Sequence, residues 1–260
     1  MELWSSAHLA TLPITILIML VVGIILRKFL INKPLKIRII PFFVVSACLF
    51  ILEIFKQVLS IKNGYDLYHI PLHYCSLLIF VPLFASIFTY LKKSDEAKHK
   101  VMGVAVATTS ATAALTVIYP CLIYSANNIE NYFNGFFDFH TVTFHNLVIF
   151  AFILMVALNL HQPNFKKCRF GLLLFMVGFC AVSSVMAQIL KTNFANFYQC
   201  NIPPLESLRQ LVANALGYTV AQVIYVLINS ALTTAFTVGA YFLFVLFYNI
   251  FNKKITPKEN

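Results

Sequence analysis

Between Tyr218 and Asn249 the chain carries no charged residue. Uncharged runs of 20 or more residues recur along its length. A helix that crosses a bilayer needs roughly 20 apolar residues, so each run reads as a spanning helix. Composition agrees. Hydrophobic residues make up 60% of the chain and charged residues 11%, against about 25% charged in a soluble domain. The first apolar run is too long for a signal core and lacks a small-residue cleavage site, so no cleavable signal is expected.

The expected fold class is therefore all-α, a polytopic membrane helix bundle. Seven transmembrane helices are predicted, near 9–26, 39–60, 70–91, 101–124, 142–160, 170–190 and 218–250. Residues 1–260 read as a single integral membrane domain, without a repeat or low-complexity tract. The last span is taken as one long or bent helix, with Asn229–Ser230 as the place for a break. Ahead of it, "PPLESLRQLVANALG" has apolar residues at 205, 208, 211, 212 and 216. That spacing predicts a short helix lying at the outer interface.

The net charge of +10 raises nucleic acid as a partner, and its distribution argues against one. The basic residues sit in short clusters between apolar runs, as topology determinants do. Segment 27–38, segment 92–100, the group Lys166, Lys167 and Arg169, and the tail Lys253, Lys254 and Lys258 together hold 15 of the 19 basic residues. The other side has Lys62, Lys191 and Arg209, while Lys56 lies inside span two. This asymmetry puts the amino terminus outside and the carboxyl terminus inside.

With that topology, scattered reactive residues fall in one outer layer. His8 opens span one. Glu53 and Lys56 lie in the outer half of span two. His69, His73 and Cys75 precede or open span three, and His140 and His145 open span five. Tyr198 and Cys200 belong to the outer loop. Five of seven histidines share this depth, with His99 and His161 on the inner side. Glu53 and Lys56 are three apart and face the same way on a helix. They read as an ion pair, or as Glu53 orienting a histidine, because an ionisable residue in a span faces a partner or a wet cavity.

The stretch "YHIPLHYCSLLIF", residues 68–80, concentrates the chemistry. Pro71 fits the first turn of a helix. Cys75 would then sit one turn in, near the positive end of the dipole, where thiolate is favoured. His73 and Cys75 are two apart and would point to nearly opposite helix faces. A base for Cys75 must therefore come from another helix: His145 first, then His140 or His8. The common fate of a lone cysteine in a span is packing. Cys121 and Cys200 share the outer side and are alternative disulfide partners.

"LEIFKQVLSIKNGYDLYHIPLHYCSL", Leu52 to Leu77, resembles the YwaF-type family of bacterial integral membrane proteins. The resemblance rests on a Glu and Lys in the second span, an aromatic-rich gap and the "IPLHYCS" signature. "SAHLATL", "YP" at Pro120, "FHNLVIF" at His145 and "TNFANFYQCNIPP" fall at similar positions. The resemblance implies a seven-span bundle in a bacterial plasma membrane. It also implies a distant likeness to a vertebrate family regarded as cysteine-dependent phospholipid acyltransferases, which would make Cys75 the acyl acceptor. Cys75, His145, His73 and Glu53 are then the catalytic candidates, and His8, Lys56, His140 and Tyr198 the substrate-binding ones. Membrane lipids are the expected partners. No cofactor or protein partner is called for. The alternative is a binding or transport protein whose outer His/Glu cluster holds a metal ion, a proton or a small anion. For metal the spacing is poor, since no HxxxH or HExxH occurs.

Overall fold

The computed structural model describes residues 3–91, 94–200 and 203–252. Lys92, Lys93 and the tail lysines, part of the charge asymmetry, lie outside them. Among these residues eleven α-helices follow in order: α1 (Ser6–Leu30), α2 (Leu35–Arg38), α3 (Ile40–Lys62), α4 (Leu77–Leu91), α5 (Asp95–Ile118), α6 (Pro120–Ile123), α7 (Ala126–Glu130), α8 (Phe136–Ala157), α9 (Phe165–Leu190), α10 (Pro203–Leu216) and α11 (Tyr218–Asn252). Among the described residues there is no strand. In hydrocarbon a helix satisfies its own backbone groups, which is why these apolar runs take that form.

Among the described residues six helices are long and apolar enough to cross a membrane: Ser6–Leu30, Leu35–Lys62, Glu96–Ile118, Phe136–Ala157, Phe165–Leu190 and Tyr218–Asn252. The predicted third span is different. Its helix begins at Leu77, not near Pro71, and runs 15 residues. That is about 22 Å at the helical rise, short of a bilayer core of about 30 Å. The preceding segment is a 3₁₀ turn at Leu67–His69 and then irregular turns. Pro203–Leu216 is helical, as its spacing predicted. No break occurs at Asn229–Ser230, and α11 is continuous over 35 residues. Those polar side chains are satisfied without one: Asn229 donates to the Ala195 carbonyl and Ser230 to Val226 one turn back.

The helix α5 is the centre of the bundle and packs against α4, α8, α9 and α11. Its small residues permit close approach, the usual device where helices meet in lipid. A Cβ at Gly103 would fall 2.3 Å from the Cys168 Cβ of α9. At the end where α1, α8 and α11 finish, two arginines cap helix carbonyls. Arg27 donates to Ala157 and Phe251 carbonyls and to Asn252 Oδ1. Arg38 donates to the Leu158 and Asn159 carbonyls. Two of the cations read as topology signals therefore also tie helix ends together.

Candidate functional site

The opposite end, where α1, α4, α8 and α11 begin, gathers His8, His69, His73, His140 and His145. Glu53 of α3 is buried, 5% exposed. It lies nine residues inside the end of its helix, roughly 13 Å at the helical rise. Its Oε1 takes Lys56 Nζ at 2.9 Å and the Gln57 amide at 2.5 Å. Its Oε2 faces His140 Nε2 of α8 at 3.4 Å. That nitrogen is buried and makes no hydrogen bond of acceptable geometry. The expected Glu53–Lys56 pair is thus present, and a histidine stands on the carboxylate's other side.

Gln57 extends the group. Its amide also donates to the His69 carbonyl at 2.7 Å, and its oxygen accepts from the Tyr65 hydroxyl at 2.6 Å. Sequence reading passed over Gln57. The signal was local, a second polar residue one turn beyond Glu53 on the same face. His69 shares a hydrogen bond with Ser60 through Nδ1 and stacks on Phe137 with ring centres 5.2 Å apart.

The segment that carries Cys75 is wedged by several elements. Ser183 of α9 donates to the Leu72 carbonyl at 3.2 Å, and Tyr74 meets Thr237 of α11 at 2.7 Å. His73 donates through Nε2 to the Tyr68 carbonyl at 3.0 Å and packs edge-on against Phe194. Cys75 therefore lies in a turn two residues before α4, not one turn inside it. The opposite-face relation of His73 and Cys75, which assumes a helix, does not apply here. Nor does the dipole lower the thiol. Burial pushes Cys75 up, the nearby Lys56 ammonium opposes that, and Glu53 adds to it. Burial likewise pushes the His73 imidazole down. A thiol held in its neutral form reacts only with a base beside it.

His145 has the right tautomer for that work. Its Nδ1 lies 2.7 Å from the Thr141 carbonyl, which only accepts, so Nδ1 carries the proton and Nε2 keeps its lone pair. Lys56 lies within electrostatic range of His73, Cys75 and His145 alike. Cys75 packs on the cluster that contains Phe144, the neighbour of His145. His8 is placed otherwise. Nε2 meets the Tyr124 carbonyl at 3.1 Å and Nδ1 meets Ser5 Oγ at 2.6 Å, completing a capping box, so both nitrogens are spent on the fold. Tyr198 belongs to a separate cluster with Phe194 and Phe197 against Ile70 and Leu72. None of the six cysteines is joined in a disulfide, so neither Cys121 nor Cys200 is bridged to Cys75. Among the described residues no group of three or more His, Cys, Asp or Glu is arranged to hold a metal ion.

Fold and composition together define a polytopic membrane protein built as a helical bundle. The chain belongs to the TMEM164 family, whose family model matches residues 3–238. No curated protein and no solved structure matches the chain at a significant level.

Proposed function

We propose that this chain is a membrane-embedded acyltransferase that moves a fatty acyl group between lipids through a thioester on Cys75. The observation that carries the reading is that a half-buried thiol kept neutral by burial and a histidine of fixed tautomer both lie within electrostatic range of Lys56. The resemblance of "IPLHYCS" to YwaF-type proteins, and through them to cysteine-dependent acyltransferases, supports the same reading.

In the first half-reaction the Cys75 proton passes to His145 Nε2 as the sulfur bonds to the ester carbonyl carbon. The ester C–O bond breaks, and the departing alkoxide takes the proton back from His145. In the second, a lipid hydroxyl attacks the thioester, the C–S bond breaks, and the thiol is restored. Lys56 is the cation placed to meet negative charge that develops beside the sulfur.

The test is to incubate purified protein with radiolabelled phospholipid and treat it with neutral hydroxylamine, which cleaves thioesters. A hydroxylamine-sensitive label that disappears in Cys75→Ala and weakens in His145→Ala is expected. Protein that never acquires label from any lipid class sinks the proposal.

A further inference from the structure

His140 stands apart from the other histidines of this end. It is 6% exposed, and its ring is clamped between Phe136 and Phe144 at centroid distances of 6.2 and 5.5 Å. His8, His69, His73 and His145 each spend a nitrogen on a hydroxyl or a carbonyl. The Nε2 of His140 has no such partner, although it is buried and lies 3.4 Å from Glu53 Oε2. Burying a polar atom without a hydrogen bond is costly, and native structures seldom keep one without a reason. Glu53 is asymmetric in the matching sense. Lys56 and Gln57 both occupy Oε1, which leaves Oε2 turned toward the ring. With the ring proton on Nδ1, Nε2 and Oε2 are two acceptors facing one another. That arrangement is unfavourable until a donor lies between them. A hydroxyl oxygen set beside the pair, about 2.8 Å from each atom, shares its one proton between the two acceptors.

We infer that Glu53 Oε2 and His140 Nε2 form the seat of the acceptor hydroxyl, the free alcohol of a lipid, and that His140 is the base for the second half-reaction while His145 serves the first. This deepens the acyl-transfer reading and rests on it for the chemical step. The alcohol O–H proton passes to His140 Nε2 as the oxygen bonds to the thioester carbonyl carbon. The C–S bond breaks, and the proton then goes from the imidazolium to the Cys75 sulfur, leaving ester, thiol and neutral ring. Glu53 stabilises the imidazolium in between, as a carboxylate beside a catalytic histidine does. Lys56 and Gln57 keep Oε1 occupied, so the carboxylate cannot turn away.

Two measurements on the full chain in detergent test this. The first uses Cys75→Ala protein and compares binding of a lysophospholipid with its deoxy analogue, in which hydrogen replaces the free hydroxyl. The hydroxyl form is expected to bind about tenfold tighter, the effect of one hydrogen bond to a charged or buried partner. In His140→Phe, which keeps the aromatic packing, the two lipids should bind alike, and Glu53→Gln, which keeps the shape, should narrow the difference. Equal binding with His140 intact overturns the inference, as does a preference that survives both substitutions. The second measurement follows the thioester label in Cys75-intact protein. In His140→Phe the label should form and then resist discharge by lysophospholipid. Discharge at the unmodified rate overturns the division of labour. If no label forms in any protein, the thioester reading falls alone, and the binding comparison still decides where the hydroxyl sits.

Discussion

The Tyr74 hydroxyl lies 2.7 Å from Thr237 Oγ1, joining the turn before α4 to the middle of α11. One residue later in that turn comes Cys75. The contact ties the thiol's backbone to α11. Tyr74→Phe and Thr237→Val should each cost about 1 kcal/mol, the net worth of one buried hydrogen bond. The double variant should cost less than the sum, because both changes remove the same bond. Thermal unfolding in detergent measures all three; strict additivity would show that the bond contributes nothing.

Glu53 and Lys56 pair at 2.9 Å inside a membrane helix. Removing one partner strands a buried charge, at a cost of about 3–5 kcal/mol in comparable pairs. Glu53→Gln and Lys56→Met are each expected to lower the thermal midpoint strongly. The double variant should recover much of the loss. A double variant less stable than either single would mean that the two residues are held by other partners instead.

His161, in the loop between α8 and α9, is 4% exposed and approaches the Tyr241 hydroxyl at 3.3 Å. Burial first, and the His99 ring second, hold it down to about 3 from an ordinary 6.5. The folded state thus prefers the neutral ring. Its contribution to stability is complete above about pH 6.5 and is lost as pH falls toward about 3, at up to about 1.4 kcal/mol per pH unit. His161→Phe should flatten the fall of the thermal midpoint between pH 6.5 and 5. An unchanged pH profile in that variant would assign the acid sensitivity elsewhere.

The basic asymmetry predicts that the histidine-bearing end faces outside. Single cysteines introduced into a cysteine-free background at Asn63 and at Asn164 report on this through an impermeant maleimide. Labelling at 63 and not at 164 in intact cells is expected; the reverse pattern inverts the orientation.

Much of the fold was legible because its signals are local. Apolar runs locate the helices, and the i, i+3 spacing of Glu53 and Lys56 forces a shared face, which the structure bears out. What escaped depends on partners distant in sequence. Pro71 looks like the first residue of a helix, yet the Leu72 carbonyl is taken by Ser183, and Tyr74 is held by Thr237. Nothing near Pro71 announces either partner. The same holds for His8, whose ring meets a carbonyl 116 residues away. The histidine layer was visible as a depth, but not the division between rings that serve the fold and a ring left without a bond.

The irregular stretch before α4 also constrains the order in which this protein can be completed. A helix can leave the insertion machinery as soon as it is made, since its backbone bonds are internal. The stretch from Gly64 to Ser76 cannot, because its anchors at Ser183, Phe194 and Thr237 are synthesised more than a hundred residues later. Until α11 emerges, that stretch must wait at the aqueous boundary with the short α4 unsettled beneath it. A ribosome-stalled chain ending at residue 160 should leave position 75 open to an impermeant thiol reagent, whereas release of the full chain should close it.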